Sequence, residues 1–196
     1  GTYTISSRTL LAGDQLASND EASAVVENLI CQPVSTCSAG HGFRLFEIAE
    51  INNVSGCEGF GDFTNLIANL APNTTNDLTV TSEFGNQSIS VWIDFNDDSV
   101  FSADEIVVDN YAFGTGQGGG TLTETFDLVI PASAPTGEHR MRARTTGIGT
   151  INNDDACEEI MFGETEDYTA NIGDLGVNDN AISNSDLVIL SKPNNL

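Results

Sequence analysis

The chain has 196 residues, with 29 acidic against 6 basic side chains and a formal charge of −23. That balance excludes nucleic acid as an electrostatic partner, because a phosphate backbone needs clustered Lys and Arg, and it disfavours an anionic membrane surface. It suits divalent cations and solubility, and 39% apolar residues suffice for one sizeable core.

In chain order, Tyr3–Ser6 reads as a strand. Ser18 with Glu21 three residues later is a capping box, and Ala22, Val25, Val26, Leu29 and Ile30 follow at helical spacing, so a short helix is expected over 18–30. From residue 43 onward, alternation of period two dominates. Strands are expected at Phe43–Ile48, Leu78–Ser82, Ile89–Ile93, Glu105–Tyr111, Leu122–Ile130, Arg140–Arg144 and Tyr168–Ile172. Pro, Gly, Asn and Asp cluster between them, and seven short strands so punctuated imply an all-β, antiparallel, jelly-roll-like β-sandwich. Gly173–Asn184 has a linker composition, and Asp186–Leu190 looks like a fresh strand. The expected division is an N-terminal extension (1–30), a sandwich (31–172), a linker (173–185) and the start of a further domain (186–196). No run approaches the ~20 apolar residues of a membrane helix, so no membrane insertion is expected. Without an initiator Met or a leader-like stretch, the sequence reads as a processed or excised piece of a longer protein.

Cys31, Cys37, Cys57 and Cys157 form an even set without a CxxC pair, which points to two disulfides and an oxidising compartment rather than zinc. Three pairings are open on sequence grounds.

The sharpest local signal is Asp94–Glu105. Side-chain oxygens fall at positions 1, 3 and 5 of twelve (Asp94, Asn96, Asp98), the Val100 carbonyl at 7, Ser102 at 9 and Glu105 at 12. This is the spacing of an EF-hand calcium loop, in which alternate residues of a tight turn point inward and the last Glu binds with both oxygens. Position 6 is Ser99 where the turn prefers Gly, and the flanks are strands, so the loop is expected to hold Ca2+ as a structural staple on a β scaffold. Asn152, Asn153, Asp154 and Asp155 form a weaker cation candidate, for which a polar loop is the plainer reading. Glu164, Glu166 and Asp167 are expected to pair across strands with Arg140, Arg142 and Arg144. Trp92 lies opposite the Ile89, Val91 and Ile93 face; exposed, it suits stacking on a sugar ring, but packing in a second apolar layer is favoured.

Catalytic signatures are missing: there is no HExxH or GxSxG, and His41 and His139 stand far apart in sequence. Carboxylate pairs are uninformative among 29 acids, so the expectation is a protein that is not an enzyme.

Four stretches, Gly59–Thr64, Val91–Asp98, Gly137–Arg142 and Gly163–Thr169, give residues 31–172 a resemblance to the GEVED domain of secreted Bacteroidota proteins, with Thr165 in place of the motif's Val. The resemblance implies a β-sandwich accessory module, commonly attached to secreted proteases, glycosidases or adhesins, without a defined ligand. It also implies a Cys31–Cys157 bridge, which leaves Cys37–Cys57 as an extra pair outside the family pattern. Leu175–Asp179 and Asp186–Asn195 resemble the opening of a type IX secretion C-terminal sorting domain, which implies export across the outer membrane and the secretion machinery as a partner. In such bacteria Asp98-Ser99-Val100 resembles an O-glycosylation acceptor, with Ser99 as the candidate, whereas the sequons at Asn53, Asn73 and Asn86 carry little weight.

The expectation is a calcium-stabilised, non-catalytic binding or adhesion module, secreted or on the cell surface, with a glycan or protein ligand. Its rivals are a structural subunit joining neighbouring chains through Tyr3–Leu10 and the sandwich edges, and an accessory domain of a secreted hydrolase.

Overall fold

The computed structural model describes residues 2–8, 21–27 and 29–173. The linker expected beyond Gly173 and the segment expected to open a sorting domain therefore lie outside the described residues.

The first two strands, β1 (Thr2–Arg8) and β2 (Glu21–Glu27), pair antiparallel as a sheet of their own, with Thr4 opposite Val25 and Ile5 opposite Ala24. The helix expected over 18–30 is thus corrected: its central seven residues are a strand. Its apolar stripe spans too few residues for a helix stable without packing, and adjacent Val25 and Val26 favour extended backbone once a partner strand takes up the hydrogen bonds.

Nine further strands build the sandwich: β3 (Leu45–Ile48), β4 (Ile51–Asn53), β5 (Phe60–Leu70), β6 (Thr74–Phe84), β7 (Gln87–Ile93), β8 (Ile106–Phe113), β9 (Gly119–Ile130), β10 (Gly137–Thr146) and β11 (Gly163–Ile172). One sheet runs β5-β11-β10-β7-β8 and the other β4-β3-β6-β9. All seven expected strands are present, and β4 and β5 are additions. Pairing is antiparallel throughout except between β5 and β11, which run parallel and shift register between Asp167 and Thr169.

Alternate residues of the two sheets meet in one core. Phe46, Ile48, Leu78, Val80, Leu128 and Ile130 from the smaller sheet face Ile89, Val91, Ile93, Met141, Tyr168 and Ile172 from the larger. Tyr168 anchors it, stacking on Phe46 at 4.6 Å between ring centroids. The outer face of the larger sheet is covered as well. There Trp92, Phe101, Ile151 and Ala156 form a second apolar cluster, with Ile30, Ile106 and Ile160 packed against it. Residues 30–31 and 151–160 thus lie over β7 and β10, and every side chain from Glu164 to Tyr168 is buried.

Candidate functional site

The acidic loop connects β7 to β8, with strands on both flanks as its sequence suggested. Its first residue is fixed by β10, whose Arg140 carbonyl accepts the Asp94 N–H at 2.9 Å. Asp94 and Glu105 are only 2% and 3% exposed, so the two ends of the twelve-residue pattern face inward. Asp94 accepts the backbone N–H groups of Asp98 (3.1 Å) and Ser99 (2.9 Å). Asn96 Oδ1 accepts the Asp98 N–H, and Asp98 Oδ1 the Val100 N–H. Glu105 accepts from Ser102 through both its N–H and its hydroxyl, each at 2.9 Å. Asp97 and Ser99 take positive φ, 54° and 69°, so Ser99 adopts the left-handed backbone that the sixth position of such a loop demands of a glycine.

Burial raises the Asp94 carboxyl above its usual range; the backbone donors of Ser99 and Asp98 counter this, and the charges of Glu105 and Asp98 add to it. Carboxylates that disfavour one another's charge, within an all-oxygen donor set, have the chemistry of a hard-cation site. The loop donors are tied to their own backbone, and Asp94, Asp98 and Glu105 do not crowd as closely as the three acids of a second cluster, Glu58, Glu164 and Glu166, whose oxygens lie within 4.8 Å of one another.

At its eighth position the loop drives Phe101 into the outer cluster, where its ring lies 4.5 Å from the Arg142 guanidinium carbon. Arg142, itself fully buried, ties the site together. Its Nε and one terminal nitrogen grip the two oxygens of buried Asp167 at 2.7 and 2.8 Å. The other donors reach the carbonyls of Cys31 (2.7 Å) and Ala156 (2.9 Å) and the Cys31 sulfur (2.9 Å). Cys31 is bridged to Cys157, and Cys37 to Cys57, with Cα atoms 5.7 Å apart in each pair. One guanidinium therefore joins the acidic loop, the arginine strand, the first disulfide and the middle of β11.

The expected cross-strand pairing holds for Asp167 but not for its neighbours. Asp167 sits opposite Arg142 and also meets Arg140 at 3.3 Å. Opposite Arg144 stands Thr165, whose hydroxyl accepts from Arg144 Nε at 2.9 Å. Arg144 also donates to the Glu158 carbonyl, and its remaining terminal nitrogen is buried without a partner. Burial, and then the charge of Arg142, lower its pKa to about 10. Glu164 and Glu166 cannot join this layer, because successive strand residues point to opposite faces. They point instead to the Tyr168 side. Glu166 accepts the Tyr168 hydroxyl at 2.6 Å, and burial pushes its pKa up to about 8. Glu164 accepts the N–H groups of Glu58 (2.8 Å) and Phe43 (2.9 Å), and burial raises it to about 7.

Trp92 is fully buried in the outer cluster with an unpaired indole N–H, so it offers no face for a sugar to stack on. The weaker cation candidate is a closed local turn, in which Asp155 accepts both the backbone and side-chain N–H of Asn152. His41 contacts the Ser38 carbonyl, and His139 bridges Asp97 and the Pro135 carbonyl.

Residues 88–171 match the sequence model of the GEVED domain. The match runs from β7 to β11 and takes in the acidic loop, the arginine strand and the name-giving Gly163–Asp167. Cys157 lies inside it, while Cys31, Cys37, Cys57 and the Gly59–Thr64 stretch precede it. No curated protein matches the chain. A GEVED domain points to a non-catalytic module of secreted proteins, and the two disulfides agree with an extracellular setting. The structure also gives the motif's letters distinct physical tasks: its two Glu face inward, and Asp167 faces Arg142. The task of Gly163 is space, since a Cβ there would run into the Thr145 carbonyl oxygen and Ile160. Gly163→Ala is expected to destabilise the fold by about 1–3 kcal/mol, the range of an overpacking substitution, in urea denaturation; an unchanged midpoint would count against this tight fit.

Sequence reasoning missed Phe101, Glu58 and Ser55. Phe101 was open to discovery as one of only two phenylalanines within the acidic loop, whereas Glu58 and Ser55 lie in a segment with no periodicity to orient them.

Proposed function

We propose that the chain is a calcium-stabilised, non-catalytic binding or adhesion module of a secreted or cell-surface protein, exported by the type IX machinery through its C-terminal segment. The observation that carries this reading is the Asp94–Glu105 loop: its donors are all oxygen, its terminal carboxylates are buried, and its Phe101 packs on Arg142. Asp94, Asn96, Asp98 and Glu105 would supply side-chain oxygens, Val100 its carbonyl and Ser102 a contact through water. The ion would neutralise acids held together in a molecule already at −23 and fix the loop against the arginine layer. A glycan or protein is the expected ligand.

Calcium at a hundredfold above its dissociation constant adds about 2.7 kcal/mol. Chelation with EGTA should therefore lower the melting temperature by roughly 5–10 °C at 2–4 °C per kcal/mol. Asp94→Ala should remove the response of this loop. A melting curve indifferent to EGTA and to added calcium would sink the reading.

A second reading, a structural subunit, draws on the β1–β2 hairpin. Two-stranded sheets are marginal alone, and Ile5 and Val25 are 60% and 66% exposed. Light scattering would favour it if deletion of residues 1–27 turned an oligomer into a monomer.

A further inference from the structure

Alternation along β11 sends Glu164 and Glu166 to one face, and both are fully buried. The exposed Glu58 joins them from the segment that precedes β5, and the oxygens of all three lie within 4.8 Å of one another. Among the described residues, no guanidinium, ammonium or imidazole forms an ion pair with any of the three. Their donors are neutral: the N–H groups of Phe43 and Glu58 on Glu164, and the Tyr168 hydroxyl on Glu166. Two buried polar atoms are left over. Neither makes a well-formed hydrogen bond: they are Glu166 Oε1 and the Ser55 hydroxyl, which lies close enough to Glu166 to lower its pKa. Buried carboxylates without a counter-charge cost several kcal/mol each.

A single change removes all of these deficits. We propose that Glu58, Glu164 and Glu166, with the Ser55 hydroxyl, bind a hard divalent cation of the calcium class at the inner face of the GEVED motif, separate from the Asp94 loop. All the ligands are oxygens, as a hard cation of the calcium class prefers, and exposed Glu58 leaves a route of entry. The second disulfide gains a task. Cys57 precedes Glu58, its partner Cys37 has its sulfur 4.0 Å from Glu164 Oε1, and the bridge holds the Ser55–Glu58 segment against β11.

The competing arrangement is a proton held on Glu166 and shared with Ser55, which needs no metal. Calcium titration by calorimetry on the metal-free chain separates the two. The expected result is two ions per chain in the wild type, one in Asp94→Ala (or in Asp98→Asn, should Asp94→Ala fail to fold) and one in Glu58→Ala. Glu58 is exposed, so its variant should melt as the wild type does in EGTA. Glu166→Gln, the neutral isostere, should also lose one ion. The proposal is overturned if Glu58→Ala and Glu166→Gln keep the wild-type number of ions, or if the loop variant binds none. Loss of the only ion in Glu58→Ala, with no change in the loop variants, would sustain this site and overturn the reading of the Asp94 loop.

Discussion

Arg142→Ala is expected to remove about 3–5 kcal/mol of stability, the cost of breaking a buried ion pair and leaving one charge behind. Against the ~5–15 kcal/mol of a typical domain, this brings the chain close to unfolding at 37 °C. Asp167 would remain fully buried, with Arg140 at 3.3 Å as its nearest cation. The Cys31 and Ala156 carbonyls would each lose a donor, and Phe101 the cation above its ring. Arg142→Lys should recover little, because an ammonium cannot reproduce the two-pronged grip on Asp167 while reaching both carbonyls. Replacing the pair together, Arg142→Met with Asp167→Leu, should destabilise less than Arg142→Ala, since no unpaired charge is left in the interior. Urea denaturation of the four proteins reads these differences. A loss below about 1 kcal/mol in Arg142→Ala, the range of an exposed ion pair, would show that Arg142 is not the junction described.

The arginine layer also shows what a sequence can disclose and where it stops. Arg140, Arg142 and Arg144 alternate with Met141 and Ala143, so their common face was plain, and Asp167 was among their expected partners. The period that placed the arginines together separates Glu164 and Glu166 from Asp167, and only the register between β10 and β11 decides which acid meets them. The nine-strand sandwich was legible except for β4, which has three residues, and β5. In β5 the stretch Phe63-Thr64-Asn65-Leu66-Ile67 breaks strict alternation, as fits a strand whose pairing with β11 shifts register. The N-terminal stripe misled because helix and strand periods are hard to tell apart over seven residues, and pairing partners decide between them. The cover over β7 and β10 was invisible for a different reason. Residues 30–31 and 151–160 are irregular chain apart from one 3-10 turn at Asp155–Cys157, held in place by Arg142, Arg144 and a disulfide rather than by their own periodicity.

Removing the Cys31–Cys157 bridge should be the costliest covalent change. It joins residues separated by 126 positions, and a closed loop of that size restricts the unfolded chain by about 4.9 kcal/mol on the chain-entropy estimate. The Cys37–Cys57 bridge, at a separation of 20, gives about 3 kcal/mol on the same estimate. The difference in the folded state points the same way. Cys31 offers Arg142 both its carbonyl and its sulfur, so releasing it loosens the grip on Asp167, whereas Cys37–Cys57 touches the Glu58 segment at the edge of the other cluster. The double variant Cys31→Ser with Cys157→Ser should therefore melt lower than Cys37→Ser with Cys57→Ser. Its effect should be less than additive with Arg142→Ala, because both act on one junction. Equal melting points for the two bridge variants, or strict additivity with Arg142→Ala, would show that the first disulfide restrains the unfolded chain alone and does nothing to hold the arginine in place.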